Sequence, residues 1–320
     1  NGASIFMPAM KELAMYPQPT VIEPTVFAEV PRELQLLDKD SHMARDIFRG
    51  KPLGSFLEGP SFDRDGNLYV VDIAHGRVFK ISPSGEFNVA ADYDGSPNGL
   101  KIHKDGRIFV ADRRKGIVEI DPVNGKFSVY IGPEQMPGYK GVNDLFFASN
   151  GDLYFTDQGD TGLHDPTGRV FRMDANGSLH CLIDNMPSPN GLVMDPSESQ
   201  LYIAVTRANA VWRMPFRQDG SVNRVGLFCQ LVGGMGPDGM AMDVDGNLSI
   251  AHAGLGAVWL FSALGLPTHK IPDPDGSPLT TNMAYGGPDN RSLFITSSFS
   301  GKILRAEMPA AGETMYAHMD

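Results

Sequence analysis

A chain of 320 residues with 42% hydrophobic and 20% charged residues has enough apolar material for a sizeable core, so disorder is excluded as a default. Its formal net charge of −11 and its lack of a Lys/Arg run argue against a nucleic-acid partner, because a phosphate backbone is met by clustered basic side chains. No run of about eighteen apolar residues occurs, and the N-terminal stretch lacks a basic segment followed by an apolar one. Neither a membrane span nor a signal peptide is therefore expected, and a cytoplasmic location is.

In chain order, residues 1–24 read as an N-terminal extension and residues 25–30, TVFAEV, as a strand. Residues 31–57 form a mixed segment in which Met43 to Phe48 suggests a short helical turn. This segment leads straight into the first repeat, so it is expected either as a surface connection or as a lid over one mouth of the fold.

From Glu58 the chain repeats itself six times at about 40 residues, a period that marks repeat architectures. The copies begin EGPSFDRDGNLYVVD, PNGLKIHKDGRIFVAD, VNDLFFASNGDLYFTD, PNGLVMDPSESQLYIAV, PDGMAMDVDGNLSIAH and NMAYGGPDNRSLFITS. Each reads as strand, turn, strand, turn, strand, with Asp65-Gly66-Asn67, Asp105-Gly106, Asn150-Gly151 and Asp245-Gly246-Asn247 suited to hairpin loops. Leu68 to Val71 and Leu153 to Thr156 are β-branched and aromatic second strands, and Arg77 to Ile81 and Val211 to Met214 are third strands. Glu86 to Ala90, Lys126 to Tyr130 and Gly226 to Leu231 are candidate fourth strands. This pattern predicts an all-β protein, a six-bladed β-propeller of four-stranded blades around a central axis spanning residues 25–308. The sixth copy ends after Leu304 to Met308 without a fourth strand, so the N-terminal strand is expected to close the ring. Residues 309–320 read as a C-terminal tail.

The first strand of every blade lines a propeller's axis, so Glu58, Asn98, Asn143, Asn190, Asp238 and Asn282 should converge there. Singly, an Asn or Asp before Gly is a turn former. Together, two carboxylates among four amides on a narrow axis need a positive partner. Oxygen donors without Cys or His suit one hard divalent cation, Ca2+ foremost, with Mg2+, Mn2+ or Zn2+ as alternatives. Cys181 and Cys229, far apart and without a CxxC, read as buried thiols rather than a disulfide or a zinc site.

The motifs EGP at Glu58, GVND at Asn143, SPNGL at Asn190 and GPDGMAMD at Asp238 resemble, in order and at repeat spacing, the senescence-marker-protein (regucalcin) and gluconolactonase family of metal-dependent lactonases. That family is related to drug-responsive lactonase and diisopropylfluorophosphatase, and the resemblance covers residues 58–308. It implies a six-bladed propeller with one catalytic divalent metal held by Glu58, Asn190 and Asp238. Asn143 would be a fourth ligand or a contact for substrate and water, and Asp238 would also be the general base or nucleophile. Animal-type members place Arg two residues before the blade-three Asn; here Lys140 and Gly141 stand there, which argues against a sugar lactone.

A second ring follows the second strands: Asp72, Asp112, Asp157, Thr206, His252 and Ser298. Its aspartates read as acceptors for backbone N–H groups of the next turn. His252 is the candidate proton shuttle. Asn98, Tyr139, Lys140, His252 and Asn282 are candidate substrate contacts, whereas His75 and His164 read as loop residues.

The leading expectation is a metal-dependent hydrolase opening a lactone, a small-molecule substrate, in a monomer or small homo-oligomer without nucleic-acid or membrane partners. The alternatives are phosphotriester or organofluorophosphate hydrolysis at the same site and a non-catalytic propeller that binds a partner.

Overall fold

The structure, a computed structural model, describes residues 18–320. Residues 1–17 of the expected N-terminal extension lie outside the described residues. Six antiparallel sheets form the blades, and their innermost strands are Leu57–Phe62, Pro97–Ile102, Val142–Phe147, Pro189–Met194, Gly236–Met242 and Thr280–Gly286, in blades I to VI. Each inner strand packs against the next and the sixth packs against the first, so the six sheets close into a ring. This is the expected six-bladed β-propeller.

Local chemistry accounts for the repeat. Between the first two strands of blade I, Asp63 Oδ1 accepts the backbone N–H groups of Asp65 and Asn67 at 3.0 and 2.8 Å, a turn that Asp243 reproduces in blade V. The second strands, such as Leu68–Asp72 and Leu153–Asp157, are buried at every residue because both of their faces meet a neighbouring blade. Outermost strands such as Phe127–Ile131 are mostly exposed.

Thr25–Glu29 pairs with Lys302–Glu307 as the fourth strand of blade VI, closing the ring as the sequence suggests. Two features were not expected. Thr20–Val21 adds a fifth, parallel strand to blade V beside Pro267–Pro272. The C-terminal residues do not trail away: Glu313 donates its backbone N–H to Met242 O, and Tyr316 is buried, stacked on Phe147 at 5.4 Å.

The segment between Val30 and Leu57 contains the helix His42–Asp46, capped by Ser41. The Ser41 hydroxyl accepts from Ala44 N and donates to Ala74 O at 2.8 Å, and Phe48 stacks on Phe299. The segment thus sits on the loops of blades I and VI, at the end of the axis where inner strands begin. Among the described residues no helix is long and apolar enough to cross a membrane. Both cysteines are free; Cys229 is buried, and burial pushes its thiol up to about 12. Cys181 corrects the buried reading, since it is exposed on the outermost strand Leu179–Met186, where one sheet face meets solvent.

Candidate metal and catalytic site

All six axial residues fall at the first or second turn of the pleat in their inner strands, which brings Glu58, Asn98, Asn143, Asn190, Asp238 and Asn282 to one end of the axis. A register irregularity falls at the axial residue in each of the six blades, between Glu58 and Ser61 in blade I, between Pro237 and Met240 in blade V and between Thr280 and Asn282 in blade VI, for example. Such bulges re-aim a side chain at the cost of one ladder pair. Glycine follows the axial residue in four blades, and there it admits the neighbouring strand. A Cβ at Gly59, whose φ is +55°, would lie 2.6 Å from Leu100 N; one at Gly99 would lie 2.3 Å from Asp144 Oδ1.

Blade III breaks this rule, with Asp144 where four blades have glycine. The space that Gly99 leaves is filled by that carboxylate. Asp144 is buried, and the Asn282 amide donates to both Glu58 Oε2 at 2.8 Å and Asp144 Oδ2 at 3.4 Å. Sequence reasoning missed Asp144; the signal was a carboxylate in a column of the repeat that holds glycine in four blades and Met283 in the sixth. Glu58 Oε2 also accepts from Gly59 N at 2.8 Å.

Three carboxyl groups therefore share the buried end of the axis. Burial raises Glu58 to about 7, and Asp144 adds to the rise. Asp144 is itself raised by burial, opposed by Lys101. Asp238, only half-buried, is raised well above the usual carboxylate range by loss of hydration, then by repulsion from Glu58 and Asp144; Asn190 and Arg207 offset part of this. Fixed positive charge near the three is thus sparse. Among the described residues no three His, Cys, Asp or Glu side chains converge closely enough to hold an ion by themselves. An ion on this axis needs amide oxygens as well, and Asn143 and Asn190 lie beside the two acids. Carboxylate and amide oxygens fit a hard divalent cation.

The other expected residues are tied elsewhere to differing degrees. Asn143 Nδ2 donates to Gln158 Oε1 at 2.7 Å, and Gln158 in turn donates to Ser188, which fixes the amide so that its oxygen is the free end. The Tyr139 hydroxyl meets Asp112 O and Arg113 O and accepts from Val142 N, so it buttresses the loop that leads to Asn143. Lys140 donates its backbone N–H to Asp157 Oδ1. His252 is buried with both ring nitrogens engaged, one by Gly233 O at 2.9 Å and the other by the Trp259 N–H at 3.3 Å, and burial lowers its pKa. Asn98 is half-buried on the axis. Asp72, Asp112 and Asp157 accept backbone N–H groups of the loops above them, from Phe56, Ser96 and Gly141 respectively. His75 bonds Leu53 O from its loop.

Comparison with known proteins meets the same stretch of chain. A family described as SMP-30/Gluconolactonase/LRE-like region matches residues 56–299, which include all six axial residues. The chain is similar to the lactonase drp35 of Staphylococcus aureus (strain MW2), 30% identical over 258 residues that cover 77% of this chain and 79% of the relative. It is also similar to the solved structure of a gluconolactonase from Xanthomonas campestris, at 25% identity and a TM-score of 0.69 over 80% of this chain and 86% of that one. A calcium-binding protein, regucalcin, from Agrobacterium tumefaciens str. C58 shares the fold at 20% identity, with a TM-score of 0.75 over 95% of this chain and 100% of that one.

Proposed function

The chain belongs to the SMP-30/gluconolactonase/LRE-like family, and from that premise we propose that it is a divalent-metal-dependent hydrolase that opens lactones. The observation that carries the reading is the group of carboxyls at one end of the axis, Glu58 and Asp144 buried and Asp238 half-buried, all raised by lost hydration and Glu58 and Asp238 further by acidic neighbours, beside two amides and with only Lys101 and Arg207 in opposition. Glu58, Asn143, Asn190 and Asp238 would hold the ion, with Ca2+ the best match to an all-oxygen donor set. When bound, a divalent ion there polarises an ester carbonyl and acidifies a coordinated water.

The chain's own residues supply the rest. Asp238, the least buried of the three acids, takes the proton of the attacking water and returns it to the departing ring oxygen. Asn282 holds Glu58 in place through its 2.8 Å hydrogen bond. Gln158 does the same for Asn143. Asn98, on the open side, is the amide best placed to meet the substrate.

The test is a panel of lactones assayed after chelation and after re-addition of Ca2+, Mg2+, Mn2+ or Zn2+ in turn. Hydrolysis lost on chelation and regained with one ion, most strongly Ca2+, is expected. Activity indifferent to chelation would remove the metal from the mechanism, and no hydrolysis of any lactone would remove the reaction.

A further inference from the structure

The loops around the mouth of this site divide into two unlike halves, one of them apolar apart from Arg207 in blade IV and from Asp273 and Asp275 between blades V and VI, where Asp275 pairs with Lys302 at 2.6 Å. Residues 231–235 between blades IV and V, 254–256 in blade V and 298–301 in blade VI read LVGGM, GLG and SFSG and contain no ionisable residue. Their large side chains are nevertheless open to solvent: Val232 is 85% exposed, Phe299 47%, Met235 46% and Leu255 41%. The first two loops touch, since a Cβ at Gly254 would lie 2.8 Å from Met235 Cγ. Phe299 extends the apolar surface to the helical segment by stacking on Phe48, with ring centroids 5.4 Å apart.

Across the mouth, the corresponding loops of blades II and III carry Arg113, Arg114, Lys115 and Lys140. Two of these charges are already paired, Arg113 with Asp160 at 2.6 Å and Arg114 with Asp94 at 2.8 Å. Gly141 lies within this charged half with φ +128°, and a Cβ there would lie 2.9 Å from Arg113 Cγ.

A polyhydroxy ring resting on Val232, Met235, Leu255 and Phe299 would give up water at each hydroxyl against Val, Leu, Met, Phe and glycine, an exchange that leaves polar groups without partners. A hydrocarbon substituent gains on the same surface in proportion to the area it covers. We infer that the apolar surface of the mouth formed by Val232, Met235, Leu255 and Phe299 binds an apolar substituent on the lactone ring, and that the preferred substrates are alkyl- or aryl-substituted lactones. The inference rests on the lactone-hydrolase reading above.

The experiment is a series of δ-lactones bearing no substituent, then linear alkyl chains up to pentyl, with glucono-δ-lactone as the polyhydroxy member. The expected result is a rise of about two- to fourfold in kcat/KM for each methylene that reaches the rim, carried mostly by KM, with the polyhydroxy lactone below the unsubstituted one. Leu255→Asp and Phe299→Asp should flatten the ratio of long-chain to unsubstituted kcat/KM. Val123→Asp, on a fully exposed loop at the opposite end of the blades, should leave that ratio alone. The wild-type series needs no variant to be read. Hydrolysis of the unsubstituted lactone with no dependence on chain length, or with the polyhydroxy lactone preferred, overturns the inference and leaves the lactone reading standing; no hydrolysis of any member overturns the lactone reading and the inference with it.

Discussion

The two ends of the propeller axis are built from the same six strands and have opposite chemistry. At the end where the strands begin stand two acids, four amides and the intruding Asp144. Two residues beyond Asn282 and three beyond each of the other axial residues, the positions lining the lower end are Ser61, Lys101, Phe146, Val193, Ala241 and Ala284. There a cavity of about 230 Å3 is lined by Met194, Met240, Met242, Met283, Met315 and Met319 and covered by the folded-back C-terminal residues. The lower end stabilises the fold by burying apolar area; the upper end costs stability because it buries charge. A site with this electrostatic cost persists because the ring beneath it is secured independently.

The contrast can be broken most sharply at Asp238. Asp238→Asn is expected to lower kcat/KM by about 10²–10⁴-fold while the circular-dichroism spectrum and unfolding midpoint stay close to wild type. A comparable change at the other end should do the reverse. Met194→Ala removes a buried side chain beside an existing cavity and should cost about 2–5 kcal/mol in denaturant unfolding, with kcat/KM within a factor of about three of wild type. If Met194→Ala abolished activity without loss of stability, the two ends would not be separable.

The electrostatic cost of the upper end has a sign that pH reveals. In the ion-free protein Glu58 is raised from 4.5 to about 7, chiefly by burial. Between these values the folded chain keeps a proton that the unfolded chain releases, so stability is fully present below about 4.5 and is lost as pH rises through 7, by on the order of 3 kcal/mol. Chelated protein should therefore melt lower at pH 8 than at pH 5 by more than its Glu58→Gln variant does, and a saturating divalent ion should close the gap. The smallest expected effect is at the rim: Ser41→Ala removes a helix cap and the bond to Ala74 O and should cost about 1 kcal/mol, read as a lower unfolding midpoint.

How much of this was legible in the sequence depends on whether the signal was repeated. Six copies of one pattern identified the blades, the axial positions and the missing fourth strand that Thr25–Glu29 supplies, because each copy corroborates the others. Singular features carried no such corroboration. Asp144 follows Asn143 in a pair that reads as a turn, and its significance appears only when glycine is seen at the same column in blades I, II, IV and V. The C-terminal residues are small and polar in composition, yet Tyr316 docks against Phe147 and His103 from two different blades, contacts that no local pattern announces. Thr20–Val21 is too short to show a period. His252 stands in register with three aspartates, but its partners, Gly233 O and Trp259, come from neighbouring loops and strands that the register does not specify.

The strand Thr25–Glu29 also has a consequence for how the molecule comes into being. Its partner Lys302–Glu307 lies some 280 residues away along the chain, so the clasp joins nearly the first described segment to nearly the last. On a ribosome, five blades can be complete while Thr25–Glu29 still waits for its partner strand. Asn282, which steadies Glu58, likewise emerges only after five blades have been made. The ion site proposed on blades I, III, IV and V would thus be steadied by a blade made after the other five, and a chain stopped before that blade would present an open ring with a row of unpaired backbone groups at its seam.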